Sequence, residues 1–229
     1  MVSIVGNTIN RNQADQYAAI WCNEHPVQIF SNTISGNVGK LRHSTVFLNR
    51  CLSATFQNNI VRSNKIADVS ATESKSRDRG PLYIADVNAP QISGNMFEGN
   101  RGYFSSALFL LRTPGAMISG SNEFPQNFAQ NRCLLAEASD NPQVSSGGTI
   151  FTASQAILII GNTFTGDRWA IFNDNAIDGI NVSSNKFWGQ SIGLYRSPGV
   201  GFATTAAALN SGISTNHPSG TFAGNTDAP

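Results

Sequence analysis

The chain has 229 residues, 40% of them hydrophobic, enough to bury a sizeable core, and only 13% charged, about half the share usual in a soluble domain. A net charge of +1 with scattered Lys and Arg excludes an electrostatic nucleic-acid binder. No run of about 18 apolar residues and no charged-then-apolar opening at Met1 occurs, so neither a membrane span nor a signal peptide is expected within these residues.

Polarity comes instead from 25 asparagines, whose recurrence organises the chain. From the N-terminus, IVGNTI (4–9) is followed by AAIWCNE (18–24), then IFSNTI (29–34), STVFLNR (44–50) and TFQNNI (55–60). A polar, charged run, 66–80, predicts a protruding loop before GPLYIAD (80–86), ISGNMF (92–97), SALFLLR (106–112) and ISGSNEF (118–124), which carries one extra residue. A second insertion, 128–147, precedes GTIFTAS (148–154), IIGNTF (159–164), WAIFNDN (169–175), VSSNKF (182–187) and IGLYRSP (192–198). A small-residue tail from 197 onward includes a last partial copy, FAGN (222–225).

Two segment types therefore alternate, each too short and too β-branched for a helix. The first places an apolar residue three before an Asn and another two after it, which predicts two short strands meeting at a bend centred on an Asn that tolerates left-handed geometry. The central asparagines, 7, 32, 58, 95, 122, 162, 185 and 225, define a unit of about 23–27 residues with longer spacings where insertions fall. That period predicts a solenoid of about three strands per turn.

The I-x-x-N-x-[IF]-x-x-[ND] repeat resembles the right-handed parallel β-helix (pectate-lyase-like) superfamily, which includes pectate lyases, polygalacturonases and phage tailspikes. The resemblance implies an all-β, right-handed single-stranded parallel β-helix of about eight coils and three parallel sheets, with coils over 1–196 and the last coil and a tail packed on the rod over 197–229. It implies an extracellular, cell-surface or virion setting, and a structural and interaction rod that binds a glycan or a partner protein. Starting at residue 2 without a capping element, the repeats are expected to be part of a longer β-helix.

Columns of equivalent positions carry the finer expectations. Asn7, Asn32, Asn58, Asn95, Asn122, Asn162 and Asn185 predict an asparagine ladder. Ile9, Ile34, Ile60, Phe97, Phe124, Phe164 and Phe187 predict the core stack. In the second segment, aliphatic Ile20, Val46, Leu82, Leu108, Ile150, Ile171 and Leu194 are each followed by an aromatic: Trp21, Phe47, Tyr83, Phe109, Phe151, Phe172 and Tyr195. Neighbouring strand residues face opposite sides, and the mostly apolar positions two beyond the aliphatic column (Cys22, Leu48, Ile84, Leu110, Thr152) favour aliphatic-in. That phase places this aromatic stripe outward as a binding or interface surface for a partner, the chain's own tail, a sugar or a second copy; the opposite phase, with the aromatics inside, is the alternative. Three positions on, Glu24, Arg50, Asp86 and Arg112 alternate in sign and predict an ion-pair ladder.

An enzymatic alternative, a polysaccharide lyase or hydrolase, would use Asp167, Asp174 and Asp178 with Arg168 beside them, the best candidate acidic cluster of the chain. The aspartate motifs of polygalacturonase-like hydrolases are missing, and RSPGVG (196–201) matches only the first half of a pectate-lyase-like Arg-x-Pro-x-x-Arg. No cofactor is expected, calcium being the ion those carboxylates would take. Cys22, Cys51 and Cys133 lack metal or disulfide spacing and are expected to be buried thiols. No nucleic acid and no membrane insertion are expected among its partners, which leaves polysaccharide, another protein or a homo-oligomer.

Overall fold

Each repeat turns where one residue adopts the left-handed conformation. In the first bend these residues are Gly6, Ser31, Asn58, Gly94, Ser121, Gly161, Ser184 and Gly224, with φ between 53° and 68°. Each stands immediately before a ladder asparagine, so the left-handed position precedes the rung rather than coinciding with it. The computed structural model describes residues 1–39, 45–66, 80–102, 105–125, 128–129, 148–166, 169–173, 179–197, 201–213 and 220–227.

Among the described residues the chain is all-β apart from one short helix, with parallel strands in four sheets, an arrangement consistent with a parallel β-solenoid. Sheet A runs through eight strands from Val2–Val5 to Thr221–Ala223, and sheet B through eight from Thr8–Asn10 to Thr226–Asp227. Sheet D holds the aromatic segments from Ile20–Asn23 to Gly193–Ser197 and ends in Gly201–Ala203, its one antiparallel member. Sheet C was not expected: five two-residue strands, from Gln13–Ala14 to Phe128–Ala129, follow a second bend.

The interior is one continuous apolar cluster built from the inward positions of sheets A, B and D. Phe97, Phe124, Phe164 and Phe187 stack along it with ring centroids 4.8 to 5.2 Å apart, close to the spacing of paired strands, so one rotamer repeats from layer to layer.

The ladder differs from expectation at one rung. Asn32 donates through its Nδ2 to Asn59 Oδ1 at 3.0 Å, and Asn59 in turn to Asn95 Oδ1 at 3.1 Å. Asn58 is instead the left-handed residue (φ 53°). The same one-residue offset pairs Val61, not Ile60, with Ile34 and Phe97; Val61 is fully buried and Ile60 lies outside. A second ladder runs through Asn12, Asn37, Asn64 and Asn100 at the bend into sheet C. These carboxamides hold the turns together where no strand pairing can satisfy the backbone.

At the C-terminal end the helix Ala206–Gly212 lies over the core with Ala206, Leu209 and Ile213 buried. Thr205 Oγ1 accepts from the Ala208 N–H, and the Asp227 carboxylate accepts from the Ala206 N–H at 2.9 and 3.0 Å.

Candidate functional site on the outer face of sheet D

Register decides which side of sheet D each aromatic takes. Trp21, Phe47, Tyr83, Phe109, Phe151 and Phe172 are paired in one unbroken column. Their aliphatic neighbours Ile20, Val46, Leu82, Leu108, Ile150 and Ile171 belong to the main core. Phe47, Tyr83, Phe109 and Phe172 form a second apolar cluster with Ala85, and Tyr17 and Leu111 pack against it. The column therefore faces away from the main core, and these four rings are covered rather than open to water. The side chain of Phe151 lies outside the described residues.

Tyr195 is the exception. It pairs with Ile171, which puts it in the inward column where Leu194 was expected, and Arg196 takes the aromatic place beside Phe172. Tyr195 is wholly buried, and its hydroxyl accepts from Asn173 Nδ2 at 3.0 Å; burial pushes the phenol pKa up. The Arg196 guanidinium lies 5.7 Å from the centre of the Phe172 ring, and burial lowers its pKa. A cation over the last aromatic thus ends the stripe.

The other end is open. Trp21 is 61% exposed, in contrast to 8% for Phe47 one layer on. Tyr17, just upstream of the strand, stacks nearly parallel to both, 5.8 Å from Trp21 and 5.0 Å from Phe47. Burial raises its phenol pKa. No repeat column includes Tyr17; its only sequence signal is an aromatic four residues before Trp21. Two residues beyond the aromatics on the same face, Asn49 Nδ2 donates to Asn23 Oδ1 at 2.7 Å.

The charged residues next to these amides sit on left-handed turns at Glu24, Arg50, Asp86 and Arg112, with φ from 50° to 62°. Arg50 approaches Glu24 at 3.9 Å, whereas Arg112 grips Asp86 with two bonds of 2.5 and 2.7 Å. Hydrogen bonding from Arg112, with Arg50 also near, holds the Asp86 carboxyl below the usual carboxylate range, and Arg112 is raised in return.

The outer face thus offers a flat indole, a phenol, two amides and a charged edge within two neighbouring layers. Asp167, Arg168, Asp174 and Asp178 lie outside the described residues, as does Cys133. Among the described residues no three His, Cys, Asp or Glu side chains come together as a metal site. No family model matches the chain, and neither does any curated protein or any solved structure.

Proposed function

We propose that the chain is a right-handed parallel β-helix of about eight coils, akin to the pectate-lyase-like superfamily, serving as a structural and interaction rod of an extracellular, cell-surface or virion protein. Its contact is with a glycan, through Trp21 and Tyr17. The carrying observation is the change along a single column: four rings are covered, while the first presents an open indole face. A pyranose ring stacks its C–H face on such an indole, and its hydroxyls reach the Asn23 and Asn49 amides and the Glu24 and Arg50 side chains. A few polar groups around an apolar platform are what orient a small ligand. Eight strands in each of sheets A and B support the coil count.

The test is saturation-transfer NMR and calorimetry against a panel of neutral and acidic polysaccharides. Wild-type protein binds at least one of them, Trp21→Ala abolishes that binding, and Trp188→Ala, which removes another exposed indole on sheet B, does not. An unaffected Trp21→Ala, or no binding across the panel, refutes the reading. Light scattering on the same samples distinguishes the oligomer alternative.

A further inference from the structure

Cys22 and Cys51 are far apart in the chain but meet in the interior. Cys22 follows Trp21 on the inward side of strand Ile20–Asn23, paired with Leu48 of the next layer. From Leu48 the chain runs through Asn49 and the left-handed Arg50, and that turn swings Cys51 back into the core. Cys51 Sγ lies 3.7 Å from the Cys22 carbonyl oxygen and 3.6 Å from that of Asn49, while Cys22 Sγ lies 3.9 Å from the His25 carbonyl oxygen. Both are free thiols and both are buried. The Cys51 thiol thus points at the backbone of Cys22 itself. A zinc site would need more ligands than this pair, and no third His, Cys, Asp or Glu joins it among the described residues.

We infer that Cys22 and Cys51 are a redox modification site, closing to a disulfide that staples the first layer of sheet D to the second directly beneath Trp21. The oxidant is a low-molecular-weight disulfide such as oxidised glutathione. Both S–H bonds break and one S–S bond forms, and two electrons and two protons pass to the reagent, which leaves as two thiols. Burial, with the neighbouring Cys22, pushes the Cys51 thiol up to about 12, so exchange in the folded protein is slow at neutral pH and speeds up as pH rises. The bond joins successive repeats and so constrains the unfolded chain. This inference is independent of the glycan reading, since its readout is the bond itself.

The test has two arms: native protein held at about pH 8.5 with excess oxidised glutathione, and reduced chain refolded in a glutathione buffer, where access to the thiols is not limiting. Free thiols are then alkylated and the protein cut with trypsin, which cleaves after Lys40, Arg42 and Arg50 between the two cysteines. The expected result is a Cys22–Cys51 cross-linked peptide as the dominant disulfide, with a thermal midpoint that rises and returns on reduction. A cross-link in the refolding arm alone supports the site equally, because it shows that burial only slows the native reaction. Glutathione retained on either cysteine, pairing of either with Cys133, or both cysteines alkylated after refolding overturns it.

Discussion

Asn58 and Asn59 are adjacent and chemically identical, yet the fold gives them opposite duties, which makes them a sharp test of the ladder. Asn59 Oδ1 accepts from the Asn32 N–H at 2.9 Å and the Asn32 Nδ2 at 3.0 Å, while its own Nδ2 donates to Ile29 O at 2.9 Å and Asn95 Oδ1 at 3.1 Å. In Asn59→Ala the Asn32 amide keeps Ile4 O and Phe30 O, and Asn95 Oδ1 keeps the Asn59 N–H. The Asn32 N–H loses its acceptor inside the protein, whereas the Ile29 carbonyl keeps its strand bond from the paired strand. At about 1–3 kcal/mol for a buried polar group left unserved, the loss is about 1–3 kcal/mol. Asn58→Gly replaces a left-handed residue by the one that adopts that conformation without penalty, and should change stability by less than about 1 kcal/mol. Urea unfolding followed by far-UV circular dichroism should show the Asn59→Ala midpoint lowered by about 1 M, with m near 2–3 kcal/mol/M, and the Asn58→Gly midpoint nearly unmoved. Equal losses, or the larger loss in Asn58→Gly, would refute the assignment of the rung.

The Asp86–Arg112 pair should appear as a small acid-dependent term. Because the folded carboxyl is depressed, its contribution is present above the unfolded value of about 3.9 and is lost as pH falls through the lower folded one. Wild type should therefore exceed Asp86→Asn at neutral pH by under about 1 kcal/mol, Arg112 being mostly exposed, and the gap should close in strong acid and shrink in salt. Phe109→Ala, which truncates a covered ring of the second cluster, should cost about 3 kcal/mol in the same urea assay, whereas the exposed Trp21→Ala should cost under about 1 kcal/mol.

The layered, parallel character of the fold was legible because each layer buries the same positions, so side-chain type recurs in the sequence. What failed were single-residue registers. At TFQNNI two asparagines compete for one rung, and choosing the first shifted both the ladder and the core column by one, to Asn58 and Ile60. Only three-dimensional pairing shows that the left-handed turn residue comes before the rung and that Asn is tolerated there. At IGLYRSP the pattern of an aliphatic followed by an aromatic fitted Leu194 and Tyr195, but the register places Tyr195 inward, where Asn173 gives its hydroxyl a partner. Tyr17 was not legible because it belongs to no column: its place is set by stacking on two rings from different layers. The strands of sheet C are two residues long and carry too little pattern to be seen in one dimension.

The ladder has a direction, and that direction explains the helix. Except at Asn122, whose side-chain amide alone reaches Asn162, each rung donates its backbone N–H and its amide to Oδ1 of the following rung, as Asn162 does to Asn185 at 3.0 and 3.1 Å and Asn185 to Asn225 at 3.1 and 3.2 Å. The buried final rung, Asn225, therefore turns two donors toward a layer that would have to supply an acceptor. Asn210 supplies it from the helix: its Oδ1 accepts from the Asn225 N–H at 3.2 Å and Nδ2 at 2.8 Å, and its Nδ2 returns a bond to Asn225 O at 3.0 Å. A single helical side chain thus reproduces the hydrogen-bonding groups of a further rung, while Leu209 covers the core beside it. Asn210→Asp keeps the acceptor and loses only the returned bond, so it should cost about 1 kcal/mol; Asn210→Leu removes both and orphans two donors, at about 2–4 kcal/mol. Hydrogen exchange at the Asn225 amide should accelerate in that order. If the Asp and Leu variants were equally damaging, the helix would be held by its apolar contacts alone, and the ladder would not need an acceptor at its end.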